Sequence, residues 1–501
     1  MIGEKRFERI TQSAFRFPAA VFVILVGLLA TWALATPLFA SPDEPAHLYK
    51  AYGSAHFEAI GTSVPGLSPT IRMFDVPDSM GTPDLNCYFG KPETSAACAS
   101  DHAGKAVSTA AVLPPFWYAL VGGGARILGA SESQRAYRMM NALLCAAMFA
   151  AAFAAARSSS HRRLTPFLLL ALTPMSLFLA GTVHPNGFEI AVFTLLWALV
   201  LHLHRPKAST RFGGLLVGSL FAAVLLSRFG AMIWVLTLPV VVVALLGRTG
   251  LSRFMNRRFL VALGTTTVAA VLALVAWSKY AGVSVHDDRV ALDWSKPHII
   301  SFTVRKFPEL ARQMIGVLGW LDTTLPRSVY ALYAFFTGLL LVGVVLSKNR
   351  RLMAATLLLM VALCGAPVVV NVISAPTAGV IWQGRYSMPI FVGFAVLGML
   401  GWHEYLERGS RERLAAPLRF VVCACFALAE IRGFWQALRR FTVGAHGKVW
   451  LTEPLSWSPP IAPMVLIGAN AILTVGLCVV VLRCTSVGAQ APTGAALLSV
   501  E

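Results

Sequence analysis

Charged residues are scarce in this sequence. Asp, Glu, Lys and Arg make up 13% of its 501 residues, whereas 56% are hydrophobic and the mean hydropathy is +0.68. Soluble proteins carry about 25% charged residues, so an ordinary soluble protein is excluded. Acidic residues are the scarcest, with 23 against 42 basic ones and a net charge of +19. The basic residues stand in short clusters between apolar runs, which indicates a membrane protein and argues against nucleic-acid binding.

The sequence also lacks the short motifs of several enzyme classes. It contains no Walker A lysine loop, no G-x-S-x-G, no H-E-x-x-H and no G-x-G-x-x-G after a strand. Each of these motifs supplies backbone amides, a nucleophile or metal ligands for one kind of chemistry. Their absence weighs against nucleotide-driven transport and soluble-type hydrolase chemistry. No Cys/His pattern indicates a metal or redox centre, so we expect no resident cofactor and no metal, although a divalent ion is compatible with the sequence.

What the sequence has instead is a series of apolar runs, each near the roughly 20 residues that cross a bilayer. The first, Pro18 to Phe39, contains no charge, follows a basic N-terminus and is too long for a signal-peptide core. We predict an all-α, polytopic membrane protein with about twelve (11–13) transmembrane helices. The later runs are 136–156, 165–183, 187–203, 213–227, 229–247, 259–277, 328–346, 352–372, 386–403, 414–433 and 460–482.

The run from Val112 to Leu128 is treated differently, because counting it as a span would place the Arg157, Arg162 and Arg163 cluster outside. It is predicted to be a juxtamembrane helix begun by a Pro-Pro pair. With this choice, just over half of the 42 Lys and Arg residues fall in cytoplasmic segments that make up about a sixth of the chain. The large loops 40–135 and 278–327 are then extracytoplasmic.

These boundaries divide the chain into four parts. We expect a cytoplasmic N-terminus (1–17), a transmembrane module that includes both large loops (18–405), C-terminal transmembrane helices (406–482) and a flexible cytoplasmic tail (483–501). Spacing in the second loop, from Ile299 to Val317, predicts a helix lying in the membrane interface.

Only two cysteines, Cys87 and Cys98, lie in the outer loops. They stand in a Pro/Gly/Asn-rich stretch on the side of the membrane that is oxidising in bacteria, so a disulfide is predicted, with two free thiols as the alternative.

The sharpest local feature is SPDEPAHLYKAY, residues 41–52, where the first helix emerges. Asp43 and Glu44 are adjacent carboxylates between two prolines, and His47 follows at helical distance. A carboxylate near the bilayer is a candidate general base for an acceptor hydroxyl. The alternative interpretation is structural: Asp43 caps the following helix and Glu44 complements its dipole.

Further candidates lie at other outer helix ends. In WQGRYSMP, Gln383, Arg385 and Tyr386 could bind a phosphate, or the arginine could merely reach a lipid headgroup. Arg228 and Lys279 add two outer cations, for which a lipid phosphate is a natural partner. Asp322, in GVLGWLDTTLP, is either a site residue or part of a turn.

A short outer turn, TVHPNGFE, holds His184, Asn186 and Glu189. The simpler interpretation is a Pro-Asn-Gly turn followed by a helix. Glu189 and Glu430 are also intramembrane acids, which mark transport sites in many membrane proteins.

Four motifs in order resemble a bacterial family of polytopic membrane proteins known as domain of unknown function 2142. They are SPDEPAHLYKAY, then PPFWYAL with YRMMNAL, then GVLGWLDTTLP and finally QGRYSMP, spread from about residue 20 to 405. That family resembles the GT-C glycosyltransferases, which use polyprenyl-phosphate sugars and carry an acid just after the first helix.

By this resemblance Asp43 is at the catalytic-base position with Glu44 beside it, and the PPFWYAL segment is the juxtamembrane helix. The implied activity is inverting transfer of a sugar from a lipid-linked donor to a cell-envelope glycan or lipid acceptor, on the outer face of a bacterial cytoplasmic membrane. This chain departs from better-known members, because Leu113 precedes the Pro-Pro pair instead of lysine and the third turn holds His184 and Asn186 instead of an acid. The departure affects donor-phosphate and metal binding.

Two other functions remain open from the sequence. A transporter or flippase for a lipid-linked saccharide would use the same outer cations, with Glu189 or Glu430 as coupling residues. A non-catalytic protein of envelope assembly is the third. An enzyme should gather Asp43, Arg228 and Arg385 at one outward-facing site.

Overall fold

The protein is all-α and polytopic. The computed structural model describes residues 2–81, 87–99, 106–202, 211–254, 256–283, 291–408, 411–452 and 455–486. Within these ranges the α-helices are α1 (Ile2–Ala35), α2 (Glu44–Ala55), α3 (Phe116–Ile127), α4 (Gln134–Ser158), α5 (Pro174–Ala180), α6 (Pro185–Val200), α7 (Arg211–Leu225), α8 (Ala231–Phe254), α9 (Arg257–Tyr280), α10 (Lys296–Arg305), α11 (Phe307–Gly316), α12 (Arg327–Leu346), α13 (Arg350–Ala378), α14 (Met388–Phe391), α15 (Gly393–Glu407), α16 (Ala415–Val443) and α17 (Pro463–Ser486).

Nine helical segments in the described residues are long and apolar enough to cross a membrane. A tenth span would combine the 3₁₀-helix Arg162–Ala171 with α5, which meet at 74°. The apolar helices α6 and α7 are shorter, at 16 and 15 residues. The twelve apolar runs therefore all appear as helical segments. Nine of these segments are long and apolar enough to cross a membrane without being combined with a neighbour.

The first predicted span ends earlier than expected, at Ala35 rather than Phe39. Pro37 cannot continue the helix. The freed carbonyls of Ala33, Thr36 and Pro37 accept hydrogen bonds from the Arg138 guanidinium at 2.6–2.8 Å. The helix therefore ends before residue 39. At the other end α1 already begins at Ile2, so the predicted N-terminal segment 1–17 is largely helical.

Two helices occupy the centre of the bundle. All but one residue of α6 is buried, as is most of the segment Gly384–Glu407 that contains α14 and α15. By contrast α9 is mostly exposed along its length, as a helix that faces lipid would be. The N-terminal end of α6 and the 3₁₀-turn Gly384–Ser387 before α14 meet the large loops, since His184 lies beside His47 and Gly384 lies against α11. The predicted 406–482 unit is packed into the same body, since α17 lies against α1 and α16.

The large loops form a layer over one end of the bundle, which we call the loop layer: residues 40–81, 87–99, 106–133 and 291–326. It holds a small antiparallel sheet, β1 (Thr62–Ser63), β2 (Arg72–Met73) and β3 (Val107–Ser108), and a two-stranded pair, β4 (Val317–Leu318) and β5 (Thr323–Thr324). Cys87 and Cys98 are joined in a disulfide, as the sequence predicts.

The loop layer contains the expected surface helices. The helix α3 begins directly after Pro115, in the position predicted for the juxtamembrane helix. The interfacial helix in the second loop is divided into α10 and α11, which meet at Lys306. Pro308 explains this division, because proline is tolerated in the first turn of a helix but not in its interior. Ile300 and Val304 on α10 are exposed, which suits contact with lipid.

Candidate functional site

Asp43 lies where α2 begins, with a left-handed backbone (φ 58°). Non-glycine residues adopt this conformation only when their surroundings impose it. Asp43 takes the N-cap position of α2, as the structural interpretation predicts, but its side chain makes no capping hydrogen bond to this helix. Instead, Asp43 Oδ2 accepts a hydrogen bond from Arg385 Nη2 at 2.7 Å. The Asp43 side chain remains 43% exposed, so one acid is both held in place and open to solvent.

Arg385 is carried by a tightly fixed 3₁₀-turn, Gly384–Ser387, just before α14. The amide of Gly384 donates to Gln313 Oε1 on α11 at 2.7 Å. A Cβ at Gly384 would lie 2.1 Å from the carbonyl oxygen of Leu310, so only glycine fits against α11. The indole of Trp234 donates to the Tyr386 carbonyl at 2.8 Å. Contacts from α11 and α8 thus fix the backbone that presents the arginine.

The Arg385 guanidinium is buried but incompletely bonded. Its side chain is 1% exposed, and its Nε and Nη1 groups have no hydrogen-bond partner in the described structure. Arg228 lies on the other side of Tyr386: its guanidinium is 4.0 Å from the Tyr386 ring centre, against 5.3 Å for Arg385. Arg228 Nη1 is 3.5 Å from Glu189 Oε2. Asp43, Arg385, Tyr386 and Arg228 therefore form one connected group, which we call the Asp43 group.

Glu44 points away from this group and is fully used. Its two carboxylate oxygens accept from Arg138 Nε and Nη2, each at 2.7 Å. The carbonyls of Ala33, Thr36 and Pro37 accept from the remaining Arg138 N–H groups, so all of its N–H groups are bonded. Glu44 Oε1 also accepts from the amide of Val183 at 3.0 Å. Glu44 and Arg138 are 2% and 1% exposed. This pair ties the end of α1, the start of α2 and the turn before α6 together.

His47 and His184 lie side by side behind Asp43. Their ring centres are 4.7 Å apart, and His47 Nδ1 is hydrogen bonded to the Tyr118 hydroxyl at 2.9 Å. Burial lowers the pKa of His47 to about 3, and the Asp43 carboxylate only partly opposes this effect. Burial also lowers the pKa of His184 well below its usual value. Both imidazoles are neutral at pH 7.

Asp43, His47 and His184 each offer one ligand atom, and these atoms lie within 4.8 Å of one another. Neutral imidazole and carboxylate are common metal ligands. However, His184 Nδ1 accepts the amide N–H of Asn186 at 3.1 Å, which leaves the ring proton on Nε2. A protonated Nε2 cannot bind a metal, and Arg385 already occupies Asp43 Oδ2. In this arrangement the three residues do not fit a metal ion.

The other sequence candidates lie outside the Asp43 group. Lys279 is exposed at the end of α9 and contacts none of the four members in the described residues. Asp322 is 7% exposed and pairs with Arg440 at 3.2 Å, beside the disulfide loop, where it also accepts the amide of Gly90. Gln383 directly precedes the 3₁₀-turn, and its buried Oε1 has no partner among the described groups.

Three residues outside the predicted set of site residues help to build the site. Arg138 and Asn141 stand one turn apart in YRMMNAL, and Asn141 Nδ2 donates to the carbonyls of Leu179, Ala180 and Thr182. Tyr118, in PPFWYAL, holds His47. The motifs containing them were noticed, but pairing across 94 residues, as for Arg138 and Glu44, leaves no local signal.

Known proteins that are similar to this chain include a family of membrane proteins and a solved structure. A family model described as "Predicted membrane protein (DUF2142)" matches residues 26–394. A comparison with curated protein sequences finds no match. Among solved structures, the chain is similar to the crystal structure of ArnT from Cupriavidus metallidurans bound to undecaprenyl phosphate, with a TM-score of 0.43 and 14% identity, over 95% of this chain and 77% of that one. A similarity of this size carries no argument about function.

Proposed function

The chain belongs to the DUF2142 family of membrane proteins, and we propose that it is a glycosyltransferase that moves a sugar from a polyprenyl-phosphate donor to a cell-envelope acceptor. The active site would face the extracytoplasmic side of a bacterial cytoplasmic membrane. The observation that carries the proposal is the Asp43–Arg385 contact of 2.7 Å between a half-exposed acid and a buried cation with unused donors.

In the proposed reaction Asp43 accepts the proton of an acceptor hydroxyl. The hydroxyl oxygen then bonds to the anomeric carbon of the donor sugar, while the bond from that carbon to the phosphate oxygen breaks. The electron pair leaves with the polyprenyl phosphate. Arg385, with Arg228 beside Tyr386, is placed to stabilise that phosphate, because a guanidinium matches phosphate geometry with two parallel hydrogen bonds.

The location of the site supports a lipid-linked donor. The Asp43 group lies where the loop layer meets the central helices, and α10 in the same layer exposes apolar residues. A donor whose phosphate is attached to a lipid reaches such a site from the bilayer. This also accounts for the missing nucleotide motifs. The resemblance of the family to GT-C enzymes points to the same substrate class.

The test is transfer by the purified protein in vesicles, with a panel of radiolabelled polyprenyl-phosphate sugars and envelope lipid acceptors. Asp43→Asn should lower the rate by about 10²–10⁴-fold, because proton transfer is lost. Its stability should fall modestly, because asparagine still accepts the Arg385 hydrogen bond while the buried guanidinium loses the carboxylate charge that faces it. Unchanged rates in Asp43→Asn, in Glu44→Gln and in the double variant would disprove this mechanism.

One observation favours the second candidate, movement of a lipid-linked saccharide across the membrane. Glu430 on α16 is fully buried and accepts hydrogen bonds from Trp32 at 2.7 Å and Asn470 at 3.5 Å, while its Oε2 has no partner within the described residues. Intramembrane acids of this kind mark transport paths. Loss of saccharide-lipid movement in Glu430→Gln vesicles, with no transfer activity in the parent protein, would support this function.

A further inference from the structure

His184 presents an unused hydrogen-bond donor to the Asp43 group. The side chain is 2% exposed and lies at the N-cap of α6, where its Nδ1 accepts the amide N–H of Asn186. That bond occupies the Nδ1 lone pair, so a neutral imidazole carries its proton on Nε2. Nε2 is buried and has no partner among the described groups. Buried donors are rarely left unbonded, so this N–H indicates an acceptor that arrives with a ligand.

Arg385 contributes further unused donors next to Asp43. Its Nε and Nη1 are buried without partners, while Nη2 holds Asp43 Oδ2. One ring nitrogen of His184 and a carboxylate oxygen of Asp43 are within 4.8 Å of each other. Unused donors of two side chains therefore lie near one carboxylate. A metal ion does not satisfy such a set, because every unused group is a donor.

We propose that His184 Nε2–H and an unused N–H group of Arg385 together bind the oxygens of one phosphate group, with His184 as the residue that orients it. The inference rests on the proposed function, and adds a phosphate-binding residue to it. A phosphate has several acceptor oxygens and no obligatory donor, so it matches donors from two side chains. Asp43 keeps an oxygen for the acceptor hydroxyl.

Electrostatics around the phosphate agree with this role. Arg385 is balanced by Asp43 and Arg228 by Glu189, so the group is near neutral without ligand. A neutral His184 adds a hydrogen bond without adding a charge that would have to be buried in the free protein. The first turn of α6 also places its positive dipole end at His184, which favours an anion there.

The position of His184 is fixed independently of the ligand. The Glu44 carboxylate accepts a hydrogen bond from the amide of Val183. Asn141 Nδ2 donates to the Thr182 carbonyl at 2.7 Å. The residues before His184 are thus bonded to α2 and α4. A donor held by two other helices suits orientation of a phosphate better than a mobile side chain would.

The test uses the full-length protein in nanodiscs and farnesyl phosphate as the probe, with farnesol and inorganic phosphate as matched controls. His184→Asn keeps an acceptor for the Asn186 amide, and so keeps the cap, but its amide is too short to replace Nε2. His184→Gln has an N–H group at about the reach of Nε2. Melting temperature without ligand checks that both variants fold like the parent.

We expect His184→Asn to weaken farnesyl phosphate binding by about tenfold to a hundredfold, as for loss of a hydrogen bond to a charged group. His184→Gln should stay within about threefold of the parent, because it restores the donor. Farnesol should bind equally to all three proteins. Equal farnesyl phosphate affinity in the parent and in His184→Asn overturns the proposal.

Three further outcomes separate the alternatives. Binding by the parent that is lost in EDTA and restored by Mn²⁺ or Zn²⁺ would make the cluster a metal site and overturn the proposal. Inorganic phosphate that binds as tightly as farnesyl phosphate, with the same dependence on His184, supports the phosphate contact but identifies a free phosphate as its source. His184-dependent binding of farnesyl phosphate without any sugar transfer would leave this inference standing while the proposed function fails.

Discussion

Two acid–arginine pairs begin at neighbouring residues and differ in almost every respect. Glu44 and Arg138 are buried, bonded twice at 2.7 Å, and leave no donor of the arginine unused. Asp43 and Arg385 share one bond, the acid is 43% exposed, and two nitrogens of the arginine have no partner in the described structure. A saturated pair has nothing left to offer a ligand, whereas an unsaturated pair does.

A third acid–arginine pair tests whether complete hydrogen bonding of the arginine distinguishes a structural pair from one that can bind a ligand. Arg440 is 0% exposed, donates to the carbonyl of Tyr88 at 2.9 Å and to Asp322 at 3.2 Å, and also bonds to Thr94. These contacts fasten the disulfide loop to α16. Asp322 resembles Glu44 in its burial, although the sequence made it a site candidate. Arg440 is nevertheless not saturated, because its buried Nε has no partner in the described structure, so burial of the acid separates the pairs better than saturation of the arginine.

The strongest test of the comparison is Glu44→Gln. A neutral glutamine leaves the buried Arg138 charge unpaired, so we expect a loss of about 3–5 kcal/mol in stability. Thermal and denaturant unfolding of the detergent-solubilised protein would measure this loss. Asp43→Asn is the matched control, and its loss should be smaller, because the carboxylate that it removes is 43% exposed and within reach of water. Equal melting of the two variants would remove the distinction between the pairs.

Asp322→Asn should show a smaller loss of stability, about 1–3 kcal/mol, because one charged hydrogen bond to Arg440 is weakened while the carbonyl partners remain. Donor binding should be unchanged. The same unfolding measurements, together with farnesyl phosphate affinity, would check both statements. An Asp322→Asn protein that melts like the parent but binds farnesyl phosphate poorly would show that Asp322 belongs to the binding site.

Arg385→Lys sharpens the comparison on the unsaturated side. Lysine keeps the charge that faces Asp43 but lacks the planar set of donors, so donor affinity should fall by at least about tenfold. The unfolding temperature should stay close to that of the parent. Unchanged affinity for farnesyl phosphate would make Arg385 an anchor of the loop rather than a ligand of phosphate.

The smallest expected effect is on pH dependence. The pKa of His47 is about 3 in the folded protein, whereas the ordinary pKa of 6.5 applies to the unfolded chain. The unfolded chain therefore binds more protons between these two pH values. Stability therefore falls as pH decreases below about 6.5, and by pH 5.5 the loss should be about 1 kcal/mol. His184 changes stability in the same direction. Melting curves of His47→Gln should be flatter between pH 7 and 5.5 than those of the parent.

The sequence predicted the helices well because their signal is local. Apolar runs and basic clusters located the spans, and the Pro-Pro pair located α3 at Phe116. The disulfide was predicted for a similar reason, since Cys87 and Cys98 lie close together in the chain. The exception is the third run, where Pro166 and Pro174 accompany a 3₁₀-helix and a 74° bend instead of one straight helix.

The site was predicted only in part. Asp43, Arg228, Arg385 and Tyr386 were all candidates, but that they meet depends on contacts such as Arg385 to Asp43, 342 residues apart. Similar roles are expected for Asp43 and Glu44 from the sequence, because both are acids that follow the first helix. Only the left-handed backbone at Asp43 and the distant Arg138 send the two side chains to different surroundings.

The close approach of Gly384 to α11 has a consequence for the bilayer itself. With no Cβ between them, the Gly384 backbone and the Leu310 carbonyl have no room to slide past each other, so a displacement of α11 is passed directly to Arg385. The depth of α10 and α11 in the interface depends on the thickness of the hydrocarbon layer. The distance from arginine to carboxylate, and with it the turnover rate, should therefore vary with acyl-chain length in reconstituted vesicles.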